Sequence, residues 1–156
     1  MKRLTEEVAR FFRKQGFVLV ATIDASGYPH TSCKGILRIS RDGRIYLIDA
    51  YMRRTFAHLK RNSRMSITAV EEHDFSGYCL KGKARIIPIR SLSRRLHAIW
   101  ERKITERITT RIIRNLHEGK GHPAHPESQL PRPEYVFVMD VEEIVDLAPA
   151  ASKKEE

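Results

Sequence analysis

The sequence predicts a mainly β fold, an antiparallel barrel of about six strands with flanking helices. Three observations predict it. Five runs rich in β-branched and aromatic residues between positions 17 and 89 are joined mostly by connections of hairpin length. One of those connections, RDGR (41–44), contains Asp-Gly, the strongest short hairpin signal. A later apolar run, YVFVMDVEEIVDLA (135–148), supplies a last strand or two. Short connections of this kind favour antiparallel pairing over a parallel α/β sheet, which needs long crossovers.

The elements follow in chain order. Leu4, Val8, Phe11, Phe12 and Gln15 mark one face of a first helix, with Thr5 or a neighbour as its cap. Glu6 and Glu7 suit the positive end of that helix, and Gly16 ends it. FVLVATI (17–23) reads as a buried strand, and DASG (24–27) as a turn in which Gly27 takes positive φ. YPHTSCKGILRIS (28–40) is a longer strand, and GRIYLIDA (43–50) is the third. Residues 55–62 form a short helix with Phe56 and Leu59 inward. RMSITAV (64–70) is the fourth strand, EEHDFSG (71–77) a polar turn, and YCLKGKARIIPI (78–89) a fifth strand bulged or bent at Gly82. Residues 91–118 form a long helix whose Leu92, Leu96, Trp100, Ile104, Ile108, Ile112 and Leu116 recur at every fourth position. A spacing of four drifts by ~40° per step around a 3.6-residue helix, so the two ends touch different surfaces. Residues 1–150 read as one domain, and ASKKEE (151–156) as a charged, mobile tail.

Composition narrows the function classes. The 29 Lys and Arg against 19 Asp and Glu give a net charge of +10, which favours anionic partners. Cys33 and Cys79 belong to no CxxC pair, so a reduced, cytoplasmic setting is expected. The N-terminus lacks the apolar core of a signal peptide, and no run approaches membrane-spanning length. No nucleophile elbow or Walker loop occurs.

YMRRTFAHLKRNSR (51–64) places Arg53, Arg54 and Thr55 where the third strand gives way to the short helix. An anion is readily held at such a junction, since the first N–H groups of a helix have no intrahelical partner. Arg grips a phosphate through two parallel donors. The competing reading is a solvated basic helix end.

The ordered set of ATIDASGYPHTS, the DG hairpin, a strand ending in IDA, YMRRTFAHLKRNSRMSI and YCLKGKARI resembles the pyridoxamine-phosphate-oxidase-like FMN-binding split-barrel family. The resemblance covers roughly residues 8–90 and includes the final strand. It implies a six-stranded split barrel, bound FMN, a homodimer with the cofactor near the interface, and a small-molecule redox partner. It further implies a flavin phosphate at Arg53, Arg54 and Thr55, with Thr55 standing where the family often has Lys. Ser32, Cys33, Lys34 and Gly35 fall on the strand that passes the ring in the family, and Ile48 and Asp49 fall at positions flanking the cofactor. Lys34 is either beside the flavin N1–C2=O edge or an outward strand lysine. Cys33 is expected as a buried small hydrophobe. Asp49 opposes a phosphate unless Arg53 or Arg54 pairs with it. The C-terminal Arg and His set with which pyridoxamine-phosphate oxidases hold their substrate is missing from PRPEYVFVMDVEEIVDLAP, which argues against that oxidation. F420 or haem remains as a less favoured cofactor, and flavin binding without turnover as an alternative.

His117, His122 and His125 lack zinc-type companions, so no metal is expected, and a surface loop or a lid is the reading for 119–133. His58 lies on the short helix near the expected phosphate and is either a helper there or, more plainly, a helix-surface histidine. The Arg-rich side of helix 91–118 raises nucleic acid as a rival partner, but Glu101, Glu106 and Glu118 interrupt the stripe.

Overall fold

The computed structural model describes residues 1–49, 53–117 and 133–149. His122, His125 and the 151–156 tail lie outside the described residues. So do the side chains of Ile104, Ile108, Ile112, Leu116 and His117.

Helix α1 (Glu6–Lys14) is capped by Thr5, whose Oγ1 accepts the Val8 N–H at 3.2 Å. The strands are β1 (Val18–Ile23), β2 (Pro29–Ile39), β3 (Arg44–Asp49), β4 (Arg64–Glu71), β5 (Ser76–Pro88) and β6 (Tyr135–Asp146). Helix α2 (Arg54–Arg61) joins β3 to β4, and α3 (Arg94–His117) follows β5 after a short 3₁₀ turn. All pairings are antiparallel, and the order β1-β2-β3-β6-β5-β4 closes into a barrel through β1 and β4. The last apolar run forms the single strand β6, which ends at Asp146. Gly27 and Gly43 take the positive φ that their turns require.

Two apolar clusters hold the barrel. Inside are Val18, Val20, Ile45, Leu47, Ile67, Leu80, Phe137 and Met139, with Phe12 of α1 and Leu59 of α2. Outside, Leu37, Ile89, Val136 and Val138 lie under Leu92, Ile99 and Trp100. Strand β6 is therefore covered on both faces, which is why VFVM reads as an unbroken apolar run. Helix α3 is pinned where β2 bulges between Ile36 and Arg38, since Lys103 Nζ donates to the Ile36 carbonyl at 2.8 Å.

The break at Gly82 is a bulge, where the β5–β6 register shifts between Lys81 and Gly82. A Cβ at Gly82 would stand 2.1 Å from the Asp140 carbonyl oxygen. Backbone cannot yield as a flexible side chain can. Gly82→Ala is expected to lower stability by about 2 kcal/mol or more, with a clear fall in thermal midpoint by circular dichroism.

Candidate functional site

Strand β2 distributes the candidate residues between two faces. Its register pairs Val18 with Lys34, Val20 with Ser32 and Thr22 with His30. Cross-strand partners share a face, so His30, Ser32 and Lys34 point into the barrel with the buried Val18, Val20 and Thr22. Thr31, Cys33 and Gly35 point outward. Cys33 is exposed rather than buried, opposite the exposed Leu19, and Gly35 is the partner of the outward Ile48. Expectation and structure differ at Cys33 because period-two alternation places it with Thr31 and away from the core.

The inward set forms three contacts at one end of the barrel. Ser32 Oγ and Thr55 Oγ1 are 3.0 Å apart, and Thr22 Oγ1 and His58 Nδ1 are also 3.0 Å apart. These two bonds seat α2 on the barrel mouth, aided by Arg61 Nη2 donating to the Ile23 carbonyl at 3.1 Å. Phe56 adds an edge-on contact with Tyr135 at 5.3 Å between ring centroids. The third contact is an ion pair, in which Lys34 Nζ donates to Asp49 Oδ1 at 2.5 Å. Its side chains are 12 % and 1 % exposed, and Asp49 Oδ2 has no hydrogen-bond partner among the described residues. Lys34 is thus an inward lysine rather than an outward one, and it supplies a charge partner for Asp49.

Arg53 and Arg54 are exposed at the start of α2. Arg53 is the N-cap residue and gives no side-chain capping bond, and the first turn carries no acidic residue. The N–H groups of Arg54, Thr55 and Phe56 precede the bond from Ala57 N–H to the Arg53 carbonyl. Donors and two guanidinium groups therefore gather at a helix end to which Arg53 gives no side-chain cap. The Thr55 hydroxyl turns inward to Ser32, so its N–H is the group it presents at the helix start.

Sequence reasoning missed the depth of His58, which is 8 % exposed rather than a surface histidine. Its spacing was the available signal, because Thr55, His58 and Leu59 lie at i, i+3 and i+4 and form the buried face of α2. Burial first, then His30 and Arg61, and less strongly Arg54, hold the imidazole below its ordinary value of 6.5, while Asp24 pulls it upward. Among the described residues no group of three or more His, Cys, Asp or Glu could hold a metal ion, and no helix is long and apolar enough to cross a membrane. On α3, Arg102 pairs with Glu106 at 3.7 Å.

The sequence model of the pyridoxamine 5'-phosphate oxidase family matches residues 4–148. No curated protein matches the chain in sequence. Among solved structures, HupZ from Group A Streptococcus superposes with a TM-score of 0.64 at 20 % identity, covering 93 % of this chain and 94 % of that one. HutZ from Vibrio cholerae, described as a heme storage protein, gives 0.54 at 17 % identity, over 92 % and 94 %. A protein described as F420 reductase gives 0.55 at 10 % identity, over 91 % and 98 %. At these identities the likeness is one of fold.

Proposed function

The chain belongs to the pyridoxamine 5'-phosphate oxidase family, and from that premise we propose that it binds FMN and serves as a flavin-dependent oxidoreductase with a small-molecule redox partner. The observation that carries this reading is the start of α2, to which Arg53 gives no side-chain cap, with Arg53 and Arg54 exposed beside it. A phosphate monoester carries about −1.5 to −2 charges near neutral pH and offers three acceptor oxygens. Arg54 and the N–H groups of Arg54, Thr55 and Phe56 match that demand, with Arg53 adding charge. The Thr55–Ser32 bond holds the helix start at a set height on the barrel. The outward strip of Cys33, Gly35 and Ile48 is the surface assigned to the ring, and Gly35 brings no side chain to it. Lys34 and Asp49 lie beneath and tie β2 to β3 from inside.

When bound, the flavin supplies the redox chemistry at its ring, so the chain's task is to bind it, orient it and tune its surroundings. A second copy of the chain is proposed as the structural partner. Leu19 and Val70 are exposed at 42 % and 61 % on the outer face that also carries Cys33, and a homodimer would cover them.

The visible absorbance spectrum of the purified protein tests this reading. The two bands of oxidised flavin, together with quenching of added FMN fluorescence, are the expected result. An intense Soret band would instead assign haem to the same barrel, and a single deazaflavin band F420. Flavin bands without NAD(P)H oxidation would indicate a binding module that does not turn over. A colourless protein that leaves FMN fluorescence unchanged would return Arg53 and Arg54 to a solvated basic face. Steeply salt-dependent binding to nucleic acid would then become the leading function.

A further inference from the structure

We propose that His58 is a proton-linked positioning residue of the anion site at the start of α2, taking up a proton when a phosphate-type anion binds there. The proposal rests on the phosphate reading of that helix start. It predicts tighter anion binding as pH falls.

His58 follows Arg54 by four residues and Thr55 by three, so it lies one turn further along the same side of α2. Its ring is buried against the barrel mouth, with Nδ1 at 3.0 Å from Thr22 Oγ1. The His30 ring of β2 meets it edge-on at 5.1 Å between centroids. The titratable and charged groups facing it are His30 from β2, Arg54 and Arg61 from its own helix, and Asp24 from the turn after β1. One carboxylate thus stands against two guanidinium groups and a second imidazole.

These surroundings favour the neutral ring. The folded-state value lies below the unfolded one, so the stability linked to neutral His58 is present above about pH 6.5 and is lost as pH falls toward the folded value. A bound dianion reverses part of this balance. It offsets the field of Arg54 and places negative charge about one helical turn from the imidazole, which favours the charged form. Thr22 makes the change tolerable, because a hydroxyl can donate to a neutral Nδ1 or accept from a protonated one. The ring can therefore change charge without leaving its seat. By reciprocity, the factor by which the anion raises proton affinity equals the factor by which the proton raises anion affinity.

The test compares FMN binding by wild type and His58→Gln from about pH 8 to about pH 5.5, the range in which histidine titrates. Titration of the FMN phosphate itself is common to both proteins and cancels in the ratio of their Kd values. The expected result is that the ratio, variant over wild type, rises at least about fivefold toward the acid end. Parallel profiles would overturn the inference. Arg54→Ala separates this from the underlying reading. If Arg54→Ala loses affinity while the His58 profiles stay parallel, only the proton linkage fails. If Arg54→Ala binds FMN like wild type, the phosphate site fails and the linkage falls with it. Should His58→Gln not fold, NMR titration of the wild-type His58 ring with and without FMN decides the matter. An upward movement on binding supports the proposal, and no movement or a downward one overturns it.

Discussion

Arg54→Ala is expected to weaken FMN binding by roughly ten- to a hundredfold, the loss of one or two charge-assisted hydrogen bonds to a phosphate. Fluorescence quenching of FMN by the variant and the wild type measures it. The side chain is exposed and belongs to neither apolar cluster, so the fold should be unaffected and the melting curve unchanged. Arg54→Lys separates charge from geometry. Lysine keeps the charge but loses the planar fork, so it should restore only part of the affinity. Riboflavin, which lacks the phosphate, should bind Arg54→Ala and wild type alike. Equal FMN affinity in wild type and Arg54→Ala would remove the phosphate from the start of α2.

Lys34→Met is expected to destabilise the protein by about 3–5 kcal/mol, because it leaves Asp49 as an uncompensated charge inside the barrel. Asp49 is 1 % exposed and Lys34 12 %, so water relieves little of that penalty. Among the described residues no second donor offsets the penalty, since Asp49 Oδ2 has no partner there. The double variant Lys34→Met/Asp49→Val should regain most of the loss, since apolar replacement of a whole buried pair is often neutral or better. Urea unfolding of the two single variants and the double closes the cycle. A single variant with a wild-type midpoint would show that the pair is not shut off from solvent.

Most strands were legible because their signals are local. Asp-Gly marks the β2–β3 turn, Gly82 marks a bulge that no side chain could occupy, and the apolar runs match the strands within a residue or two. The helix start after β3 was legible for the same reason, since Arg53, Arg54 and Thr55 adjoin a strand end. What failed was parity on β2. TSCKG is polar or small at every position, so alternation there identifies which residues share a face without saying which face is buried. Cys33, expected to be buried, therefore faces outward, and Lys34, for which two placements stood open, faces inward. Leu59 is buried and Phe56 packs partly buried against the same core, as expected, but the buried face of α2 also takes in Thr55 and His58.

The sequence by itself determined a six-stranded antiparallel barrel, its turns, and a basic helix start suited to an anion. Each depends on dihedral preference, alternation or adjacency along the chain. Only the tertiary structure decided the partners: Lys34 with Asp49, Ser32 with Thr55, and Thr22 with His58. These pairs are 15, 23 and 36 residues apart. Barrel closure and the docking of α2 bring them together. A polar side chain taken out of water must find whatever partner the packing supplies, and no local pattern names that partner in advance.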